Sequence, residues 1–69
     1  GRREQGLAAL IKALEDPRPK VRLLAVSALV AIGPPAKQAL PALRKHLKDP
    51  DRHVQRLSQT AVETISAGK

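Results

Sequence analysis

Residues 16–22 read DPRPKVR, and residues 49–55, thirty-three positions later, read DPDRHVQ. Both stretches follow one run of apolar residues at helical spacing and precede another, which is where a turn between two helices belongs. When the sequence is shifted by 33 residues against itself, 12 of the 36 overlapping positions are identical without a gap. The chain therefore consists of two tandem units, residues 1–33 and 34–69. The identical pairs are Gln5/Gln38, Leu7/Leu40, Ala9/Ala42, Leu10/Leu43, Lys12/Lys45, Leu14/Leu47, Asp16/Asp49, Pro17/Pro50, Val21/Val54, Leu24/Leu57, Ala28/Ala61 and Ile32/Ile65.

The apolar run before the first turn predicts a helix over about residues 3–15. Pro17 then ends this helix, because the residue before a proline is driven out of the helical conformation. Apolar residues recur along it at intervals of three and four positions, which places on one face Leu7, Leu10, Ile11 and Leu14.

The residues after the turn predict a second helix over about residues 19–32. Pro19 suits its first turn, where a backbone N–H has no partner within the helix. Gly33 suits its end, because glycine readily adopts the left-handed conformation that closes a helix. We expect this helix to bury one stripe, formed by Val21, Leu24, Ala25, Ala28, Leu29 and Ile32.

The second unit repeats this plan, with helices over about residues 35–48 and 52–66. Asp51 is placed to cap the last helix. Pro41 should kink or split the third, because a proline removes one backbone hydrogen bond. No stretch alternates as a strand does. The sequence predicts an all-α fold of two antiparallel helical hairpins, with four helices.

Two stretches carry a family resemblance: LIKALEDPRPKVRLLAVSALVAIG in the first unit and ALPALRKHLKDPDRHVQRLSQTAVETI in the second. They resemble HEAT repeats, especially the short bacterial type also found in bilin-lyase-like proteins. The likeness lies in the leucine ladder, the repeated Asp-Pro step, the Val-Arg that follows it and the proline inside the third helix. It implies a fragment of an α-solenoid, an armadillo-like superhelix, in which hairpins stack side by side.

The resemblance also implies roles for individual residues. In HEAT-like families the turn aspartate and an early arginine of the second helix form a hydrogen-bonded ladder between units, a role that falls here to Asp16, Arg22 and Asp49. Gln55 stands where the second unit would have its arginine, so the ladder loses its cation there. The partner-facing inner surface would comprise Lys20, Ser27, Ala31, His53, Thr60 and Thr64.

A second apolar stripe indicates where the units meet. In the first unit it comprises Ile11, Leu23, Val26 and Val30. The corresponding residues of the second unit are Arg44, Arg56, Gln59 and Glu63. We therefore expect the first unit to bury this stripe against the second, whose own stripe faces water. Because solenoids need polar terminal units for solubility, residues 34–69 are predicted to form the C-terminal cap of an array.

The opposite flank of residues 3–32 has no comparable polar stripe. Repeat proteins generally need three or more units for stability, and one core in a chain below roughly 70–80 residues rarely supplies more than about 3–5 kcal/mol. We therefore expect the chain either to be marginally stable alone or to bury this flank by self-association or against a partner.

The side chains offer little for catalysis or metal binding. Cysteine is absent, which excludes disulfides and thiolate zinc sites. His46 and His53 are separated by a proline-bearing turn, and neither is followed by Glu, so we expect both to be surface histidines. The serines lack the glycine-framed turn of a nucleophilic serine. We expect no enzyme activity, no metal and no cofactor.

The net charge of +7, from 13 Lys and Arg against 6 Asp and Glu, favours contact with nucleic acid, acidic proteins or anionic surfaces. The chain has no aromatic residue on which a base could stack, which weakens the nucleic-acid interpretation. The positive charge is densest around the second turn, where the candidate polyanion contacts are Arg44, Lys45, Lys48, Arg52 and Arg56.

The favoured function is a non-catalytic protein-interaction or scaffolding module, a fragment of a larger protein, with an unidentified protein partner. Binding of nucleic acid or another polyanion is the alternative. No apolar run approaches the roughly 18 residues that span a membrane, and a cytoplasmic location is favoured. A third interpretation, an engineered or minimal repeat protein, is less favoured because a consensus design would repeat Arg22 where the chain has Gln55.

Overall fold

Helices account for most of residues 2–67, the part of the chain that the computed structural model describes; side chains are described from Gln5 onward. No strand occurs in this range. The all-α prediction is confirmed. In chain order the elements are α1 (Arg2–Ala13), α2 (Pro19–Ile32), a 3₁₀ segment (Pro34–Ala39), α3 (Leu40–Lys45), a 3₁₀ turn (His46–Lys48) and α4 (Arg52–Ala67).

The first hairpin consists of α1 and α2. α1 ends at Ala13, two residues before the predicted end, and the chain continues as a tight turn in which the Asp16 N–H donates to the Ala13 carbonyl at 3.1 Å. Pro17 explains this end, because it excludes Asp16 from the helical conformation. α2 begins and ends where it was predicted. Gly33 closes it, and its N–H donates to the Leu29 carbonyl. Its φ of 75° is positive as expected, but its ψ of −146° lies outside the left-handed helical region that was predicted.

The third predicted helix is broken into three pieces. A split at Pro41 was expected, and Pro41 indeed lies in the first turn of α3. One continuous helix over residues 35–48 was wrong, because the chain before α3 and the turn after it are both 3₁₀. Proline prevents an α-helix from running through Pro41, because it has no N–H to donate to the carbonyl of Lys37.

The last helix begins at a side-chain cap. The Oδ1 atom of Asp51 accepts hydrogen bonds from the backbone N–H groups of His53 at 2.9 Å and Val54 at 3.1 Å. These N–H groups would otherwise have no partner in the first turn of α4. The predicted capping role of Asp51 is confirmed.

One apolar core runs through both hairpins. α2 and α4 lie side by side and form the main contact between the hairpins. The core contains no aromatic side chain, so its volume is filled by small and branched residues. Its largest fully buried apolar residues are Leu14, Leu29, Leu43, Ile65, Val26 and Val54.

Two members of the predicted buried stripe of α2 are exposed. Leu24 is 71% exposed and Ile32 is 37% exposed, so their burial was predicted wrongly. The equivalent of Leu24 in the second unit, Leu57, is half-buried beside Leu23 of the preceding hairpin. Among the described residues no hairpin lies before the first one, and Leu24 remains uncovered.

Gly33→Ala is expected to lower the free energy of unfolding by about 1–3 kcal/mol, because this combination of φ and ψ is essentially restricted to glycine. Gly6→Ala is the matched control. Gly6 lies inside α1 with open space around it, so alanine should raise the free energy by about 0.5–1 kcal/mol. Urea denaturation followed by circular dichroism measures both changes. Two shifts in the same direction would contradict the role of Gly33 as the stop of α2.

Candidate functional site

Arg22, near the start of α2, joins the two hairpins at their turns. Its Nε atom donates to Asp49 Oδ2 at 2.9 Å and its Nη2 atom to Asp49 Oδ1 at 3.0 Å. This bidentate geometry is the strongest form of an arginine–carboxylate pair. The remaining nitrogen, Nη1, donates to the backbone carbonyl of Asp16 at 2.8 Å. Arg22 therefore holds the turn of its own unit and the turn of the next one.

The carboxylate of Asp49 is the centre of this contact, with only 2% of its side chain exposed. It also accepts hydrogen bonds from the Asp51 N–H at 2.8 Å and from His46 Nδ1 at 2.8 Å. Burial is the largest single influence on the Asp49 pKa and raises it. The hydrogen bonds from Arg22, Asp51 and His46 together outweigh burial and hold the pKa below its ordinary value.

His46 is buried, and its expected place on the surface was wrong. Its Nδ1 atom lies 2.8 Å from Asp49 Oδ2, and its Nε2 atom lies 3.1 Å from Glu15 Oε2. A neutral imidazole can donate to only one of these carboxylates, whereas an imidazolium donates to both. The sequence offered one signal for this placement: His46 occupies the position of an apolar residue, Ala13, in the first unit.

Glu15 completes a second connection between the hairpins. Its Oε1 atom accepts a hydrogen bond from Lys45 Nζ at 2.7 Å, while Oε2 faces His46. The hydrogen bonds from Lys45, first, and from His46 lower the pKa of Glu15. This connection is half-exposed, so it is weaker than the buried arginine pair. We refer to these five side chains as the junction network: Arg22, Asp49, His46, Glu15 and Lys45.

Asp16 contributes its carbonyl to the ladder, while its carboxylate is bound within its own turn. Oδ1 accepts from the Arg18 N–H at 2.8 Å and from Arg18 Nε at 3.0 Å, and Oδ2 accepts from Nη2 at 3.1 Å. The Arg18 side chain, first, and the Arg18 N–H lower the pKa of Asp16. At both turns, therefore, the aspartate carboxylate accepts the N–H of the residue two positions later.

Gln55 makes one of the two kinds of contact that Arg22 makes. Its Nε2 atom donates to the carbonyl of Asp49, six residues before it, just as Arg22 Nη1 donates to the carbonyl of Asp16. An amide cannot also provide the guanidinium fork that would reach a following unit. The second unit therefore keeps the contact within the hairpin and lacks the outward one.

The predicted meeting stripe lies between the hairpins. Val26 is fully buried, and Ile11, Leu23 and Val30 are half-buried. The residues at these positions in the second unit are all exposed: Arg44, Arg56, Gln59 and Glu63. Polarity and burial therefore change together between the two units.

A shallow groove of about 290 Å³ lies between α2 and α4 on the outer side of this contact. Leu23 and Leu57 provide its apolar floor, and His53, Arg56 and Thr60 provide its polar lining. The outward residues that the family resemblance assigned to the partner-facing surface are all exposed: Lys20, Ser27, Ala31, His53, Thr60 and Thr64.

The cations around the second turn divide into two groups. Lys45 is paired with Glu15 in the junction network. The others are exposed and form no ion pair with any carboxylate among the described side chains: Arg44, Lys48, Arg52 and Arg56. Only Arg56 of these lines the groove.

The junction network contains the residue types of acid–base and metal sites, but its atoms are already engaged. Asp49 accepts on both oxygens, and both ring nitrogens of His46 face carboxylates. Among the described residues no group of three or more side chains is arranged to hold a metal ion. The buried Ser58 hydroxyl has no hydrogen-bond partner there to activate it. The arrangement joins two hairpins.

Arg22→Met is expected to lower the free energy of unfolding by about 3 kcal/mol, because it leaves the Asp49 carboxylate buried without its main partner. Arg18→Met is the matched control. Arg18 also forms a bidentate pair with a carboxylate, but 75% of its side chain is exposed, so a much smaller loss of unfolding free energy is expected. Urea titration in a stabilising osmolyte keeps the weaker variant measurable. Equal losses for both variants would contradict the central role of Arg22.

Acid should weaken the junction through Asp49 and Glu15. Their pKa values are lower in the folded chain than the ordinary values of 3.8 and 4.5, so the unfolded chain binds more protons. Their contribution to stability is complete above those ordinary values and is lost as the pH falls through the folded pKa values. Asp49→Asn should therefore flatten the dependence of the urea midpoint on pH in acid. Glu63→Gln, on the exposed side of α4, should leave that dependence unchanged. Equal pH dependence in the original chain and in both variants would refute the role of Asp49 in acid.

The family of the chain agrees with this architecture. Residues 2–67 match the family described as HEAT repeats, whose members are generally protein-interaction scaffolds and typically non-catalytic. No curated protein and no solved structure matches the chain. None of the helices within residues 2–67 has the length and apolar character needed to cross a membrane. With nearly its whole length matched, the chain belongs to the HEAT-repeat family.

Proposed function

We propose that the chain is a non-catalytic protein-interaction module that forms the C-terminal cap of a HEAT-repeat scaffold, with residues 34–69 as the capping hairpin. The change of the meeting stripe from apolar to polar supports this assignment, because a terminal unit must present a polar outer face to water. The loss of the outward guanidinium at Gln55 supports it independently, since no following unit is then recognised through this ladder.

The observation that carries the interaction role is the groove between α2 and α4, which lies beside the junction network. The side chains of the types that perform acid–base chemistry are used to fix the two hairpins relative to one another. The groove beside them combines an apolar floor with exposed polar groups, which is the usual composition of a protein-binding site. Its size suits a short amphipathic segment of a partner, and Arg56 favours an acidic residue on that segment.

Site-specific photo-crosslinking in the cells that produce the protein tests this role. A photoreactive amino acid replaces Thr60 in the groove or, as the matched control, Lys12 on the exposed side of α1. We expect the Thr60 variant to form a discrete crosslinked protein species that excess unmodified chain suppresses. Identical crosslinking from both positions, or none from Thr60, would count against the groove.

Binding of a polyanion is the second candidate, and the four cations of the second unit that pair with no described carboxylate favour it. The charges lie on an exposed surface, where phosphate contacts make affinity fall steeply with salt. Duplex DNA that shows no salt-sensitive association at about 50 mM salt would remove this candidate. Association that weakens in Arg52→Glu and not in Lys12→Glu would favour it over the protein groove.

A further inference from the structure

His46 lies between two carboxylates that belong to different hairpins. Its Nδ1 atom is 2.8 Å from Asp49 Oδ2, in the second hairpin, and its Nε2 atom is 3.1 Å from Glu15 Oε2, in the first. The ring itself is buried, with only 10% of the side chain exposed. Its two nitrogens therefore connect the two units, and we call Glu15, His46 and Asp49 together the histidine bridge.

Both carboxylates of the histidine bridge are ionised near neutral pH and can only accept hydrogen bonds. Hydrogen bonds, first from Lys45 and then from His46, lower the pKa of Glu15. Burial raises the pKa of Asp49, but the hydrogen bonds that it accepts, first from Arg22, outweigh burial and hold the pKa below its ordinary value. A neutral imidazole has one N–H and one bare nitrogen, whose lone pair would face a carboxylate oxygen. Only the imidazolium form donates a hydrogen bond in both directions.

The charged groups around the ring leave no large net field. Those that line the cavity beside it come from the two turns, α2 and α3: Glu15, Asp16, Arg22, Lys45, Lys48 and Asp49. Among the described residues no charged side chain of α4 lines this cavity. Every carboxylate of the set is paired with a lysine or an arginine. Lys48 pairs with no described carboxylate, but it is exposed, where water weakens its effect. The two hydrogen bonds of His46 therefore decide its protonation.

The histidine bridge is not part of the repeated pattern. His46 corresponds to Ala13 in the first unit, and Glu15 corresponds to Lys48 in the second. The bridge is therefore specific to this junction, unlike the Asp-Pro turns on either side of it. It adds a titratable connection to an ionic contact whose arginine stays charged at all ordinary pH values.

We propose that His46 is a pH-dependent connection between the two hairpins, which holds Glu15 and Asp49 together as an imidazolium and releases Glu15 when it loses one proton to solvent near neutral pH. Nδ1 keeps its hydrogen, because the contact with Asp49 is the shorter and more buried of the two. Nε2 loses its hydrogen, and the half-exposed carboxylate of Glu15 turns toward water.

Loss of this proton loosens the junction without breaking it. The bidentate pair between Arg22 and Asp49 keeps the register of the hairpins, because neither partner titrates near neutral pH. The inference deepens the proposed interaction function, on which its consequence for the groove rests. The floor of the groove takes Leu23 from one hairpin and Leu57 from the other, so a looser junction varies their separation and weakens the binding of a partner as the pH rises.

The expected dependence on pH is opposite in sign to that of the carboxylates. An unfolded histidine loses its proton near about pH 6.5, whereas His46 in the folded chain must give up a hydrogen bond to lose it. Stability from the histidine bridge is therefore complete below about pH 6.5 and is lost as the pH rises. Glu15 and Asp49 lose their contributions only in acid, below the ordinary values of 4.5 and 3.8. The junction should be strongest in weak acid, between these two ranges.

Urea denaturation between about pH 5.5 and 8.5 tests the histidine bridge. We expect the unfolding equilibrium constant of the original chain to rise by about tenfold over this range, which is what one hydrogen bond to a charged group contributes. His46→Gln should remove the rise, because an amide does not titrate. His53→Gln is the matched control: the exposed His53 lies 3.7 Å from Asp51 of its own hairpin, so the rise should persist. A rise that survives in His46→Gln, or that is absent from the original chain, would overturn the proposal.

Glu15→Gln tests the histidine bridge without changing a buried side chain. A glutamine amide can donate to a neutral ring nitrogen or accept from a protonated one, so the rise should largely disappear while the chain stays folded. Lys45→Gln is the control, because it removes the other partner of Glu15 and should leave the rise in place. NMR of the ring nitrogens gives a direct readout: His46 should carry hydrogen on both nitrogens in weak acid and on Nδ1 alone at high pH. Hydrogen on Nε2 alone would overturn the assignment.

Spin labels on the two hairpins test the effect on the groove, because the chain has no cysteine of its own. Ser27→Cys and Thr60→Cys place the labels on the exposed sides of α2 and α4. The distribution of distances between them should broaden from about pH 5.5 to 8.5, and in Glu15→Gln it should stay the same. Labels at Lys20 and Ala31, both on α2, are the control and should not respond. A distribution that pH leaves unchanged in the original chain would overturn the effect on the groove. The measurement needs no partner, so this failure is distinct from absence of crosslinking at Thr60, which would contradict the proposed function alone.

Discussion

The bidentate salt bridge between Arg22 and Asp49 determines how the two hairpins fit together. A buried charge pair is costly to form, because both ions leave water. Here the cost is offset by additional hydrogen bonds: Asp49 also accepts from His46 and the Asp51 N–H, and Arg22 also donates to the Asp16 carbonyl. A sideways shift of one hairpin would leave a buried carboxylate unpaired. Apolar packing supplies the attraction between the units, and this ionic contact fixes its register.

The second constraint is the difference between the two end faces of the stack. At the outer end of the second unit, charged and amide side chains replace the apolar stripe, and Gln55 retains only the contact inside its own hairpin. At the outer end of the first unit, Leu24 and Ile32 remain exposed, and the Asp16 carboxylate accepts the guanidinium of Arg18 from its own turn. The stack therefore has a direction. One end is polar, and the other leaves large apolar side chains exposed.

Much of this structure follows from local sequence rules. The bounds of α2, the stop at Gly33, the cap at Asp51 and the split at Pro41 depend on residues near them in the chain, and so the sequence predicted them. The exposure of Leu24 and the burial of His46 depend on what lies beside each hairpin. Leu24 and Leu57 are the same residue at the same position of the repeat, but only Leu57 is covered by a hairpin before it. The repeat pattern alone therefore predicted the burial of Leu24 wrongly.

The groove depends on the contact between the two hairpins. Leu57, in its floor, is the counterpart of Leu24, and His53 and Thr60 are the counterparts of Lys20 and Ser27. Leu57 is half-buried beside Leu23 of the first hairpin, whereas Leu24 is 71% exposed. The same leucine position therefore forms part of a groove only where a second hairpin supplies the other half of the floor. The groove belongs to the junction of the two units, and the ionic contact that fixes their register also fixes its shape.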